Sequence, residues 1–310
     1  MQERLKKLFA GISLLAATIL WGGGFVAVKD SLEILPPIYL IAIRFIAAAI
    51  FLSIVFFRNI IRVRRGIIKR GFVLALFLFM AYVFQTIGLL STTAGKNAFL
   101  TTVYVILVPI IAWAFSKRNP GVHVFIAALI AIAGIGLLSL NDDFYMGIGD
   151  GLTIVCGFWF ALHMVFIARF TQDSGDDPIA LTILQMFFCS VFAWIMAPFY
   201  DGAFDFSSLL TKQALFPMAY LIVFSSGVAF LLQNVGQKYT SPGTAALLLS
   251  LESVFGAFFS ALLLDESLNP RMIAGCSLLL FAIVLSETKF SFIRNIKNIR
   301  NIKFRKKIKL

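Results

Sequence analysis

Ten apolar runs, each about the length needed to cross a bilayer, leave this chain little room for anything else. A hydrocarbon core about 30 Å thick takes about 20 residues of helix, at about 1.5 Å rise per residue. Such runs occupy residues 8–29, 36–57, 71–91, 96–116, 122–140, 149–169, 178–199, 215–237, 243–264 and 271–288. Nine short connections and two tails remain, too little for a water-soluble domain. Composition agrees. Of the 310 residues, 60% are hydrophobic and 14% charged, against about 45–50% and about 25% in soluble domains. A soluble enzyme, a disordered chain and a nucleic-acid-binding domain therefore fit poorly. The formal charge of +12 does not point to nucleic acid, because the basic residues cluster between the apolar runs, as they do in membrane proteins. Cys156, Cys189 and Cys276 all fall inside apolar runs, with neither a disulfide framework nor a metal-ligand spacing. The first run has a basic lead (Arg4, Lys6, Lys7), but it is too long for a signal peptide and lacks a small-residue cleavage site, so it reads as a retained helix. The expected fold class is an all-α polytopic membrane protein with ten transmembrane helices.

Lysine and arginine set the expected orientation. With a cytoplasmic N-terminus, the inner side holds Arg4, Lys6 and Lys7, six in the second connection from Arg58 to Arg70, Lys117, Arg118, Arg169, Lys238, and the nine of the tail from Lys289 to Lys309. The outer side holds only Lys29, Lys96, Lys212 and Arg271. An even number of spans then puts both termini in the cytoplasm of a cell bounded by this inner or plasma membrane. The basic tail, residues 289–310, either holds anionic lipid at the inner leaflet or serves only as a topology determinant.

The two halves resemble each other. Gly11 and Trp21 match Gly149 and Trp159 at an offset of 138. Gln85-Thr-Ile-Gly88 matches Gln233-Asn-Val-Gly236 at 148, as do Gly95 and Ala98 with Gly243 and Ala246; Asn119-Pro120 matches Asn269-Pro270 at 150. Span n thus maps onto span n+5. Because five is odd, the second half must cross in the opposite sense, which makes an inverted-topology repeat of the kind used by secondary transporters.

Particular motifs add to this. Span 1 carries Trp21-Gly22-Gly23-Gly24-Phe25, span 2 carries Arg44-Phe45, and spans 9 and 10 read Leu251-Glu252-Ser253-Val254-Phe255-Gly256, Asp265-Glu266-Ser267-Leu268 and Gly275. In that order on ten spans they resemble the drug/metabolite transporter superfamily, in its EamA branch. The resemblance covers about residues 8–288. It implies two inverted five-helix repeats, residues 8–140 and 147–288, followed by the cytoplasmic tail 289–310. It further implies a central cavity lined mainly by helices 1, 3, 4, 6, 8 and 9, and usually export of small metabolites or amino acids. This chain departs from many relatives in carrying Tyr104 where they carry an acid matching Glu252, which tells against a scheme with two symmetric carboxylates.

Polar residues inside the bilayer are the candidate working parts. Glu252, near the middle of span 9, is the only acid at that depth, where a charge costs about 2.5–3.5 kcal/mol on insertion scales. It must face the bundle interior, meet a cation or take up a proton. It is therefore a candidate proton carrier, a receptor for a substrate ammonium, or a structural carboxyl. Arg44 lies in the outer third of span 2, where it can pair with an acid or a substrate carboxylate, or snorkel to the surface in a structural role, which its depth favours. The run Gly22-Gly23-Gly24 is either a kink where backbone meets substrate or a site of close helix packing. Trp159 and His163 share a face of span 6, the histidine as a relay, a gate or a packing residue. Gln85, Asn97, Tyr104, Gln233 and Asn234 complete a polar set suited to a small zwitterion, with Trp21, Phe25, Trp159 and Tyr104 as an aromatic wall. Pro109 is expected to kink span 4.

The motif Gly147-Ile-Gly149-Asp150 matches that of intramembrane aspartyl proteases, but Asp150 opens span 6, where it reads as a helix cap, and no second intramembrane aspartate exists. No phosphate-binding loop is present either. The expectation is a non-enzymatic secondary transporter without cofactors. It would export amino acids or related compounds by alternating access, with a small-molecule substrate, the lipid bilayer and protons as partners and Glu252 as the coupling residue. A drug or lipophilic-cation exporter of the same fold is the alternative, and a membrane enzyme or scaffold is the alternative of another class.

Overall fold

The helices begin and end where the sequence supplies the means. In the computed structural model, which describes residues 2–116, 121–139, 146–266 and 270–288, the chain is helical nearly throughout. The helices are α1 (Gln2–Ser31), α2 (Pro37–Val55), α3 (Arg65–Leu89), α4 (Ala94–Phe115), α5 (Val122–Ser139), α6 (Ile148–Asp173), α7 (Pro178–Tyr200), α8 (Lys212–Gln237), α9 (Pro242–Leu263) and α10 (Pro270–Thr288). Proline at the first helical position starts α2, α7 and α9, where its missing N–H is not needed. The Thr93, Asp177, Thr211 and Ser241 side chains accept backbone N–H groups at the starts of α4, α7, α8 and α9. The carboxylate of Asp201, just beyond α7, caps α2 by accepting from the Ile38 and Tyr39 amides at 2.8 and 2.9 Å.

Among the described residues, eight of these helices, all but α5 and α10, are long and apolar enough to cross a membrane. The apolar stretches of α5 and α10 are shorter, Phe125–Leu137 and Ile273–Ala282, and these two helices pack on each other. Polar side chains are gathered inside the bundle, among an apolar core, and large apolar ones also cover its outside. Arg44, Asn97, His163, Gln185 and Asn234 are buried, whereas Ile54, Leu129, Phe199 and Phe258 are turned outward, as a lipid solvent requires.

Helix pairing follows one rule. α1 packs on α8 and α9, and α6 packs on α3 and α4; α2 packs on α8, and α7 on α3; α2 pairs with α7, α4 with α9, and α5 with α10. Adding five to every helix number returns the same set. The ends of α1 and α6 also meet one turn from opposite directions. Lys29, near the end of α1, donates to the carbonyls of Leu89 and Thr92 at 2.9 and 3.0 Å. Asp150, at the start of α6, accepts from Thr92 Oγ1 at 2.6 Å and pairs with Lys96 at 2.7 Å. α1 and α6 therefore run antiparallel. Asp150 is not the helix cap expected from its position, since Gly147 holds the N-cap and the carboxylate reaches across to α4.

At the other end of α6, Gln172 donates to the carbonyls of Gln237 and Thr240 at 2.6 and 2.8 Å. Those two carbonyls lie 148 residues beyond Leu89 and Thr92. The same clasp, from the end of a first or sixth helix onto the turn after a third or eighth, thus occurs twice. Close helix approaches repeat as well. A Cβ on Gly88 would meet the Gly149 carbonyl and Thr153, and one on Gly236 would meet Leu14 and the Ala10 carbonyl. Here α1 and α6 correspond at an offset of 139, one residue away from the match of Trp21 with Trp159. The matches of Asn119 and Pro120 with Asn269 and Pro270, and the tail 289–310, involve residues outside those described.

α4 and α9 are each broken near their middle. The breaks fall at Thr102–Val103 and Ser250–Leu251, again 148 apart. In each, the hydroxyl turns back on the carbonyl three residues earlier, Thr102 to Phe99 and Ser250 to Leu247, both at 2.7 Å, competing with the regular backbone ladder. Pro109, expected to kink this span, sits inside the second half of α4, which is continuous from Tyr104 onward. The break lies seven residues earlier, where the hydroxyl offers the backbone another partner.

Candidate functional site: a central cavity with two opposed charges

The two breaks aim Tyr104 and Glu252, each the first residue of a second half-helix, at each other. Tyr104 donates its hydroxyl to Glu252 Oε1 at 2.9 Å. Both line a cavity at the centre of the bundle. α1 contributes Trp21, Gly24, Phe25 and Val28; α3 contributes Tyr82, Gln85 and Leu89; α4 contributes Asn97 and Tyr104; α6 contributes Phe160 and Met164; α8 contributes Ser225, Phe230 and Gln233; α9 contributes Leu249 and Glu252. These are the six helices implied by the family resemblance. The structure adds a seventh, α2, through Arg44.

Arg44 does not snorkel. Its side chain is 1% exposed, with Nε donating to Ser226 Oγ at 2.9 Å and Nη2 to Ser225 Oγ at 3.2 Å. The guanidinium lies 4.9 Å from the Tyr82 ring centre and 5.2 Å from that of Phe45, which offers cation–π stabilisation in place of solvent. Among the described residues neither Arg44 nor Glu252 forms an ion pair. One cavity thus holds a buried cation and a buried carboxyl that do not neutralise each other.

A π-helical segment of α8, Leu221–Val228, carries both serines. Its widened turn leaves the Ser225 carbonyl free to accept from Trp21 Nε1 at 2.9 Å. Trp21 is further held edge-on by Phe230 at 5.0 Å. Gln85 donates to Thr101 at 3.1 Å, and Asn97 donates to Thr153 at 2.8 Å. The Asn97 Oδ1 and Gln233 Oε1 atoms are buried and have no hydrogen-bond partner, although both residues line the cavity.

Of the residues singled out in the sequence, Trp21, Phe25, Gln85, Asn97, Tyr104, Gln233 and Glu252 come together here, joined by Gly24 and Arg44. Trp159 and His163 do not. Trp159 stacks on Phe77 of α3 at 6.2 Å, and His163 Nε2 is bonded to Gln185 Oε1 of α7 at 2.9 Å. The cavity-facing pair on α6 is Phe160 and Met164, one residue further on. α6 is apolar on every side, so periodicity could not reveal which stripe faces inward. Asn234 likewise turns away, donating to Thr182 of α7 at 2.7 Å. Gly22 and Gly23 lie within a continuous α1 and pack closely on Phe255 and Tyr220. Sequence reasoning did not single out Tyr82, Phe160, Ser225 or Phe230. Phe230 could have been found from Gln233, one turn away on the same face.

The profile of the EamA-like transporter family matches residues 8–140 and 147–288. An uncharacterized transporter of Archaeoglobus fulgidus is 31% identical over 288 residues, covering 91% of this chain and 87% of its own. A protein of Escherichia coli named "probable amino-acid metabolite efflux pump" is 26% identical, covering 89% and 94%. A crystal structure 14% identical to this chain superposes with a TM-score of 0.70, over 92% of this chain and 98% of the other, which is a likeness of fold. A multi-pass bundle built around a central cavity, matched by this profile over both halves, identifies the chain as a member of the EamA family of the drug/metabolite transporter superfamily: a membrane transporter of small molecules, not an enzyme.

Proposed function

We propose that this chain is a secondary transporter that exports amino acids or closely related zwitterions by alternating access, with Glu252 binding a proton or the substrate amine. The carrying observation is the cavity itself, apolar and aromatic on most of its wall, with Glu252 and Arg44 unpaired inside it. A lone lipophilic cation suits this cavity less well, because the buried guanidinium repels it.

In this reading the chain crosses the membrane ten times, as two inverted repeats over residues 8–140 and 147–288, with both termini cytoplasmic. The antiparallel α1 and α6, the pairing that survives adding five to each helix number, and the matched breaks and clasps support it. The two clasps are then gates on opposite faces. The outer one is charged, with Lys29, the Lys96–Asp150 pair and Glu266 on the Ala94 and Gly95 amides, while the inner one rests on the neutral Gln172. That asymmetry favours a resting state closed to the outside.

The primary test compares amino acids in the medium of cells expressing the protein or an empty vector at equal growth. Specific amino acids are expected to accumulate outside only with the protein, and identical profiles would remove the export reading. The gate makes a separate prediction. Losing a charge-assisted hydrogen bond of about 1.5 kcal/mol shifts a closed–open equilibrium about tenfold. A Gln85→Cys probe in the cavity is thus expected to react about tenfold faster with an external, membrane-impermeant maleimide when Lys29→Met is added. The three native cysteines are buried, so the background is low. Acceleration from the cytoplasmic side instead would reverse the proposed orientation.

A further inference from the structure

The cavity holds opposite charges apart, and what would satisfy both at once is a ligand carrying both. We propose that Arg44 and Ser225 form a carboxylate subsite and that Glu252, with Asn97 and Gln233, forms an ammonium subsite. The cavity then selects zwitterions with a bulky apolar side chain. This rests on the transport reading above and deepens it.

The carboxylate pole is built rather than incidental. A guanidinium has five N–H donors; those of Arg44 meet Ser226, Ser225 and the Tyr82 hydroxyl. Two donors remain, the number that grips a carboxylate with two parallel bonds. Tyr82 and Phe45 flank the guanidinium and fix its plane. Each serine hydroxyl accepts from Arg44 and donates to no described residue, so Ser225, on the cavity wall, keeps a proton for an incoming oxygen.

The other pole is made of acceptors. Glu252 takes one hydrogen bond, from Tyr104, and has no cationic partner among the described residues. Asn97 Oδ1 and Gln233 Oε1 are buried and unpartnered in the same wall. An ammonium brings three donors and no acceptor, the complement of that set. The rest of the wall includes Trp21, Phe25, Phe160 and Phe230, which favours apolar bulk and penalises a third charge.

The test uses the purified full chain in lipid nanodiscs and calorimetric titration with three probes of one shape: phenylalanine, phenethylamine (no carboxylate) and 3-phenylpropionate (no ammonium). The wild type is expected to bind phenylalanine at least about tenfold more tightly than either singly charged analogue, the scale of one charge-assisted hydrogen bond. Arg44→Gln should bring phenylalanine down to the affinity of phenethylamine, and Glu252→Gln down to that of 3-phenylpropionate. Because removing Arg44 can disturb folding, Ser225→Ala serves as the second variant, expected to weaken phenylalanine about threefold to tenfold without weakening phenethylamine. Equal binding of all three probes by the wild type would overturn the proposal, as would no binding of phenylalanine, leucine or methionine at millimolar concentration. If the probes bind in the expected order but labelled phenylalanine does not exchange across liposomes containing the protein, the subsites stand and the transport reading fails. If exchange occurs and is unchanged in Arg44→Gln, transport stands and the carboxylate subsite is overturned.

Discussion

Liposomes containing Glu252→Gln are expected to show no response of substrate flux to an imposed pH gradient, whereas the wild type is expected to respond strongly. The reason lies in what surrounds the carboxyl. Glu252 opens the second half of a broken helix at the centre of the bundle, with one hydrogen bond from Tyr104 and no ion pair among the described residues. An ionised carboxylate at such depth carries a cost of about 2.5–3.5 kcal/mol. A barrier of that size slows the empty, charged carrier about hundredfold. Taking up either a proton or a substrate ammonium removes the cost, so the two become alternative passengers and their fluxes are linked. Glutamine keeps the shape and cannot ionise. Whatever flux survives at millimolar substrate should then be the same with and without the gradient. A gradient response retained in Glu252→Gln would remove this residue as the proton carrier and leave it a structural one. The tyrosine at the matching position, Tyr104, means that the cycle has one such carboxyl and not a symmetric pair.

The second large effect is on folding. Gly256→Leu is expected to lose most of its folded yield and to melt well below the wild type, while Gly11→Leu behaves as wild type. Three helices meet closely at this point. A Cβ on Gly256 would lie 2.5 Å from the Cβ of Ala98 on α4, and one on Gly22 of α1 would lie 2.9 Å from the backbone carbon of Phe255 on α9. Overpacking costs about 1–3 kcal/mol where flexible side chains can give way, and more here because the nearest opposing atom at Gly256 is the β-carbon of Ala98, which cannot swing aside. A Cβ on Gly11 meets nothing within 4 Å, which makes it the matched control for inserting leucine into a membrane helix. Folded yield by size exclusion and melting in detergent are the readouts, because transport alone would not separate misfolding from damage at the neighbouring Glu252. An unchanged melting point in Gly256→Leu would show that α1, α4 and α9 do not meet as described.

Much of this was legible in the sequence, for definite reasons. Length and apolarity of a run dictate a spanning helix directly, because a bilayer offers no partner for an unpaired backbone group. That principle located the eight long helices and the positions of α5 and α10. Intramembrane polar groups are costly enough to be conspicuous, so Gln85, Asn97, Tyr104, Gln233 and Glu252 could be named as cavity residues from their chemistry together with the family resemblance.

Tertiary structure alone decided the rest. Which stripe of an all-apolar helix faces inward has no signature in one dimension, so α6 presents Phe160 and Met164 to the cavity and not Trp159 and His163. A one-residue offset rotates a helix by about 100° and exchanges lining for packing. The fate of Arg44 depended on distant partners, Ser225 and Ser226, some 180 residues away; from depth alone, snorkelling was the simpler expectation. The breaks in α4 and α9 followed the Thr102 and Ser250 hydroxyls and not the visible proline. The chain by itself determined which residues must leave water and which polar groups must find partners inside the bundle. Only packing chose those partners, because a hydrogen bond or a helix contact depends on the rotation of both helices, and a linear pattern records neither.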